Sequence, residues 1–257
     1  MSFGNAHGMT DQIICHRPLE SDLFGLRVYA AEVSSIERAE AVLDSFATEP
    51  PGLLVLRVPA FELDVAQRLE AAGARLCDVL LTLSQQFGQD AGAARAAPAG
   101  LVVRPSNESD IGGIELLAAR AFSDFQGHWH SDRRLPSGIA DLLYKRWAVD
   151  LARRQTSDTP LFVATTGAGD LIGFLALAAH RDARWTVPLT AVDAAFRGRG
   201  ALRAMLGYGI LQASARGPIQ FEYETQLTNV AALRSVSRFG LIPANSRLTF
   251  HLWTHHS

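Results

Sequence analysis

Cysteine is nearly absent from this chain, with only Cys15 and Cys77 in 257 residues. The two stand far apart and in no metal-like spacing, so neither a disulfide framework nor a cysteine-based metal site is expected. Free thiols fit a reducing cytoplasm. Long apolar runs are missing too. Nowhere do about 20 apolar residues follow one another, as a membrane-spanning helix requires. Nor is there an excess of positive charge: 24 Lys and Arg stand against 26 Asp and Glu, a net charge of -2. That balance argues against a general nucleic-acid binder. The stretch from Met1 to Met9 lacks the basic and apolar regions of a secretory signal, and no short repeat is visible. What the chain does have is apolar residues, at 48%. At this length a fold removes roughly 70–75% of the unfolded surface from water. The expectation is a soluble cytoplasmic α/β protein with no nucleic-acid or membrane partner.

The first segment alternates between two periods. Leu26 to Val33 reads as a strand, and Ser35 as the N-cap of a helix carrying Ile36, Ala39, Val42, Leu43 and Phe46 at helical spacing. Pro50, Pro51 and Gly52 stop that helix. Leu53 to Val58 is nearly all apolar, as in a buried parallel strand. A helix over Phe61 to Ala72, capped by Gly73, and a strand over Leu76 to Leu83 complete a β-α-β-α-β half. Small residues, Gly and Pro dominate 88–100, which reads as a linker. The expected division is an N-terminal α/β domain over 1–87, this linker, and a second domain over 101–257.

The second segment opens with a strand at Leu101 and a helix holding Ile111, Ile114, Leu117, Ala118 and Phe122 on one face. An irregular loop over 124–136 precedes a helix over Ile139 to Arg153. Strands follow at Leu161–Thr165, Leu171–Ala178 and Trp185–Val192. A turn over Arg197-Gly198-Arg199-Gly200-Ala201 then opens a helix to Ala215. A strand over Ile219–Thr225, a helix over Asn229–Phe239 capped by Gly240, and a strand over Arg247–Trp253 end the chain. A glycine-rich turn at a helix start leaves the first backbone N–H groups without helical partners. With the positive end of the helix dipole, those groups suit a pyrophosphate. Gly198 and Gly200 allow close approach, and Arg197 and Arg199 add charge.

The order strand, Arg-Gly-Arg-Gly-Ala turn, helix, strand, then Asn229 to Leu241, resembles the GCN5-related N-acetyltransferases. Arg197, Gly200, Asn229, Ala232 and Gly240 match that family's two motifs. Leu202 and Leu241 depart from them, standing where Gly or Ala and Phe are usual. The resemblance covers about Leu101 to Trp253. It implies the family's α/β fold with a mixed central sheet, here preceded by the smaller α/β half. It also implies acetyl-CoA as co-substrate and a small amine as acceptor. Backbone groups at Thr190, Ala191 and Val192 would hold the pantetheine arm, as would Asn229, for which a plain helix N-cap is the equal alternative. The turn from Arg197 to Leu202 would take the pyrophosphate. The N-terminal half around Ser21 to Gly25 further resembles the branch that acetylates nucleotide-linked amino sugars. No metal is implied, and a homodimer stays open.

Position 236 departs most from the family pattern. A Tyr that protonates the leaving thiolate is usual there, and this chain has Val236. Tyr223 and Tyr208 are the candidate substitutes. Loss of one acid costs about 10²–10⁴-fold in rate rather than all activity. Glu222 and Glu224 alternate with Phe221 and Tyr223, so both carboxylates share one strand face. Glu224 is the candidate base for the attacking amine, with a solvated wall or an arginine partner as the plainer alternative. The loop His128-Trp129-His130-Ser131-Asp132 is expected to face the acceptor, with a mobile surface loop as the equal alternative. Trp129 would stack on a sugar or base, His128 and Asp132 would bind substrate, and His130 would hydrogen-bond it or act as base. A lone His-x-His is weak evidence for a metal. His251, His255 and His256 receive no role. Two other functions stay open: a catalytically silent acyl-CoA-binding module, and an acyl-CoA decarboxylase on the same fold.

Overall fold

The computed structural model describes residues 12–89, 91, 98–123 and 125–254. Most of the expected linker, at 90 and 92–97, lies outside the described residues, as do His255 and His256. In chain order the elements are β1 (Cys15–His16), α1 (Pro18–Phe24), β2 (Arg27–Glu32), α2 (Ile36–Ala47), β3 (Gly52–Pro59), α3 (Leu63–Ala71) and β4 (Arg75–Phe87). After the linker come β5 (Leu101–Pro105), α4 (Ile111–Ala121), α5 (His128–Ser131), α6 (Ser137–Arg153), β6 (Leu161–Thr166), β7 (Leu171–Ala176) and β8 (Ala178–Ala179). The rest are β9 (Arg184–Thr186), β10 (Thr190–Val192), α7 (Ala201–Ser214), β11 (Ile219–Gln226), α8 (Val230–Arg238) and β12 (Ile242–Trp253). Among the described residues no helix is long and apolar enough to cross a membrane.

Local chemistry accounts for most element ends. Ser35 caps α2 by accepting from the Arg38 N–H at 3.2 Å, which satisfies one orphan donor of the first turn. Gly25 ends α1 in the left-handed region at φ 65°, where a Cβ would be strained. β3 is buried along nearly its whole length because helices cover one face and the second segment the other.

The strands form two sheets. The larger runs β1-β2-β3-β12-β4-β11-β9-β8, and the smaller β10-β7-β6-β5. β2 and β3 are parallel, whereas β12 enters antiparallel between β3 and β4. Strands from both segments therefore share one ladder. Three apolar clusters fill the layers. One holds Val28, Val55, Ile114, Tyr144 and Phe174 beside α4 and α6. A second holds Met205, Leu206, Phe221, Val236 and Phe239 under α7 and α8. The third holds Val42, Leu56, Leu69 and Phe250 under α2 and α3. Helix α7 sits close on the smaller sheet: a Cβ on Gly209 would lie 3.0 Å from a Leu175 methyl.

Two expected strands are corrected. Trp185–Val192 is broken, with β9 parallel to β11 in the large sheet and β10 antiparallel to β7 in the small one. Pro188 lies between them and has no N–H to continue a ladder. Leu171–Ala178 likewise splits into β7 and β8, which belong to different sheets. The short β1 and α1 carry too little periodicity to be read from sequence.

Candidate active site

The broken strand creates the site. β9 pairs with β11 only as far as Thr186 opposite Glu222. Beyond that point β10 turns away and β11 continues, so the two strand edges diverge without a strand between them. A cleft of about 830 Å³ fills the gap. The main-chain groups of β10 alternate in direction. The Asp193 N–H donates to Ile172 O, and Leu189 O accepts from the Ala176 N–H. Thr190 and Val192 therefore turn their main-chain groups the other way, toward the cleft. Val192 O accepts from Arg197 Nε at 3.3 Å, which anchors the turn to the strand.

At one end of the cleft the chain makes its glycine turn. Gly198 and Gly200 adopt φ of 75° and 87°, in the region where other residues are strained. No side chain caps α7, so its first N–H groups are open to an anion. Arg197, Gly198, Gly200, Ala201 and Leu202 line the cleft, together with Ala191 and Val192. Arg199 instead lays its guanidinium over the Phe196 ring at 5.4 Å. Asn229 lines the cleft as well, but its amide is already used. Its oxygen accepts from the Ala232 N–H at 3.2 Å, and its nitrogen donates to Thr225 Oγ1 at 3.0 Å.

Tyr223 and Glu224 both reach the cleft from β11, on opposite faces of the strand. Tyr223 shares a cluster with Val236, and burial raises its phenol pKa, so the hydroxyl stays protonated. Val236 is fully buried, and its neighbour Ser235 lines the cleft instead. Glu224 is bound by two arginines: Arg57 lies 3.6 Å from Oε1, and Arg247 pairs with Oε2. Thr82 Oγ1 adds a bond at 3.4 Å. Burial alone would raise this carboxyl's pKa, but the Arg57 and Arg247 charges hold it well below the usual range. Glu224 is thus a weak base, which corrects the expectation that it deprotonates the amine.

The His-Trp-His-Ser-Asp loop is also corrected. His128, Trp129 and Asp132 are buried and none lines the cleft. Trp129 packs on Phe24 with ring centroids 5.2 Å apart. Asp132 accepts from His251 Nδ1 at 3.0 Å, Trp253 Nε1 at 2.9 Å and Arg134 Nε at 2.8 Å. These bonds outweigh burial and hold its pKa well below the carboxylate range. With its Nδ1 proton on Asp132, His251 accepts at Nε2 from His128 Nδ1, 2.9 Å away. Burial lowers both imidazole pKa values, so both rings are neutral. His130 accepts from the Gly127 N–H at 3.2 Å and pairs with Asp141 at 3.0 Å, off the cleft wall. Cys77, Asp132 and His251 place ligand-type atoms within 4.8 Å of one another. Both His251 nitrogens and both Asp132 oxygens are already hydrogen-bonded within the fold.

Four buried polar residues, of which Gln226 lines the cleft, escaped the sequence reading. Among the described residues the buried Asp78 Oδ2, Tyr144 Oη, Thr249 Oγ1 and both amide atoms of Gln226 have no hydrogen-bond partner. The available signals were slight: Asp78 is an acid inside an apolar strand, and Gln226 extends the polar alternation of Glu222 and Glu224.

No family model matches the chain, and no curated protein matches it in sequence. Solved structures match its fold. A GCN5-related N-acetyltransferase from Sphaerobacter thermophilus aligns at TM-score 0.59 and 16% identity, over 84% of this chain and 65% of its own. This chain thus spans 65% of that protein's length. One from Kribbella flavida aligns at 0.57 and 15% identity, over 90% and 82%. A conserved protein of unknown function from Staphylococcus epidermidis aligns at 0.61 and 11% identity, over 95% and 93%. The chain has the α/β fold of the GCN5-related N-acetyltransferases, with its curled mixed sheet.

Proposed function

We propose that this protein is an N-acyltransferase that moves an acetyl group from acetyl-CoA to a primary amine in a ternary complex. The observation that carries this reading is the cleft between two unpaired strand edges, which ends at the uncapped, glycine-framed start of α7. Such an end suits a pyrophosphate, and the edge of β10 suits an amide-bearing arm added like a strand. Acetyl-CoA would supply the activated thioester. The Val192 N–H, turned into the cleft, would stabilise the oxyanion that develops at the thioester carbonyl. Tyr223, protonated and on the cleft wall, would return a proton to the sulfur in place of a tyrosine at 236. The acceptor proposed is a nucleotide-linked amino sugar. Its basis is the resemblance of the N-terminal half to the amino-sugar branch, together with the buried polar residues that reach the cleft through Gln226.

Calorimetric titration with acetyl-CoA, paired with thiol release over a panel of primary amines, tests this reading. Wild-type protein should bind and turn over. Gly200→Val should weaken acetyl-CoA binding by at least tenfold, since a side chain there is strained and would lie 3.0 Å from Pro98. Failure of the wild type to bind acetyl-CoA would sink the reading. Tight binding with no thiol release from any amine would favour the silent acyl-CoA-binding module, for which the buried Val236 is the motive.

A further inference from the structure

Beside the cleft, partnerless buried polar atoms come from four different elements, and one of the four residues, Gln226, lines the cleft itself. Tyr144 extends from α6, Gln226 ends β11, and Asp78 and Thr249 face each other across β4 and β12. Gly127 marks how close two of them are. A Cβ built there would lie 2.6 Å from Tyr144 Oη and 3.7 Å from Gln226 Nε2. Only glycine leaves this space open. Tyr144 and Gln226 are both at 1% exposure and Thr249 at 0%. Buried polar groups are normally paired, and each unpaired one costs about 1–3 kcal/mol. Several together, reaching the cleft through Gln226, indicate a place for a polar ligand.

The donor set defines the ligand. A carboxylate disfavours an anion. The amide and the phenol can bond a cationic nitrogen and the hydroxyls beside it. Asp78 Oδ1 is held by the Val79 N–H at 2.7 Å, which leaves Oδ2 for the ligand. Resting on the acyltransferase reading above, we infer that Asp78, Gln226 and Tyr144 form the acceptor-amine subsite, in which Asp78 takes the proton that the acceptor ammonium must lose. The N–H bond breaks and the proton passes to Oδ2. The freed nitrogen pair forms the C–N bond at the thioester carbon as the C–S bond breaks. The nitrogen's remaining surplus proton leaves to solvent, the departing thiolate takes a proton from Tyr223 or solvent, solvent restores the Tyr223 proton where it was used, and Asp78 later releases its own to solvent.

The electrostatics agree with this geometry. Burial pushes the Asp78 carboxyl up to about 6, against the opposing effects of the Val79 N–H, the neighbouring Gln226 amide, whose geometry falls short of a hydrogen bond, and the Arg57 charge. A base near neutrality is more effective than one held far below it, which separates Asp78 from Glu224. Among the described residues, the ionisable groups facing Asp78 are Arg57 of β3, Tyr144 of α6 and Cys77 beside it on β4. Arg57 stays protonated, while burial pushes the Cys77 thiol up to about 12 and raises the Tyr144 phenol further. The acid limb of a rate profile thus belongs to Asp78.

The test uses the full-length chain, acetyl-CoA and two probes: a dTDP-linked 4-amino-4,6-dideoxyhexose and a panel of plain primary amines. Asp78→Asn should lower kcat by about 10²–10⁴-fold and flatten the acid limb near pH 6. Its acetyl-CoA affinity should stay within twofold, and an unchanged melting temperature would confirm that it is folded. Tyr144→Phe, which removes only the hydroxyl, should raise the acceptor KM by about tenfold, with a smaller effect on kcat. An Asp78→Asn protein with wild-type kcat and a wild-type acid limb overturns the inference and leaves the acyltransferase reading standing. A wild type that binds acetyl-CoA yet acetylates no amine overturns both the acceptor reading and the inference. A wild type that does not bind acetyl-CoA overturns the parent reading itself.

Discussion

Two polar clusters lie on the same side of the large sheet, and their bonding differs sharply. Around Asp132 every group is engaged: His251, Trp253 and Arg134 donate to its carboxylate, and His128 donates onward to His251. Around Asp78 the opposite holds, with Gln226, Tyr144 and Thr249 presenting polar atoms to no protein partner among the described residues. A closed network fixes chain segments to one another. Here it ties the α5 loop to β12, the last strand, which runs between two strands of the first segment. An open network stores unmet hydrogen-bonding capacity for a ligand. The residue types in the two clusters overlap, so composition does not reveal which does which.

Breaking the closed cluster should have the largest effect. Asp132→Ala leaves His251 Nδ1, Trp253 Nε1 and the Arg134 charge without their acceptor. Losses of this kind cost about 1–3 kcal/mol for each buried orphan, and more for charged groups. A destabilisation of about 4 kcal/mol is expected, read as a fall in the urea midpoint at constant m-value. A midpoint within measurement error of wild type would show that the network does not hold the loop to the sheet.

That cluster also shows where sequence stops being informative. The glycine turn, the helix it opens and the Asn229 cap were legible because their chemistry is local. Each depends on residues a few positions apart, through φ angles or orphan N–H groups. The loop from His128 to Asp132 was not legible. Its partners are His251 and Trp253, more than a hundred positions away, and they arrive only because β12 inserts between β3 and β4. The same holds for Glu224, whose arginine partners come from β3 and β12. Its strand face was predictable from alternation, but its basicity was set by residues that alternation cannot see. The break in Trp185–Val192 lies between these cases. Pro188 is visible in the sequence, but its consequence, two strand edges parting around a cleft, depends on which neighbour each half finds.

Acid should act on the two clusters with opposite sign. His128 and His251 have lowered pKa values in the fold, so the unfolded chain binds more protons once pH falls below its imidazole pKa of about 6.5. Their contribution is full above that value and is lost as pH falls. Asp78 is raised in the fold to about 6, above an unfolded value near 3.9. Between those two values the folded chain holds the extra proton, so acid stabilises through Asp78. Each group has a limiting slope of about 1.4 kcal/mol per pH unit. Urea midpoints from pH 7.5 to 4.5 should therefore fall with acid in the wild type and fall more steeply in Asp78→Asn. A fall no steeper in the variant than in the wild type would mean that Asp78 is not raised.

The smallest expected effect is the most direct comparison of an engaged hydroxyl with an idle one. Thr249 is fully buried on β12, opposite Asp78, and its hydroxyl has no partner. Valine has nearly the same shape and favours the strand equally. Replacing an unpaired buried hydroxyl by an apolar group of the same shape is neutral or stabilising. Thr249→Val should therefore leave stability unchanged or raise it by up to about 1 kcal/mol, measured by urea unfolding at pH 7.5. In the closed cluster no polar group can be removed at so little cost, because each has a bond to lose. A loss of 1 kcal/mol or more in Thr249→Val would mean that the hydroxyl is bonded in solution, by water or by Asp78. The cluster around Asp78 would then be a second closed network rather than a receptor for the acceptor.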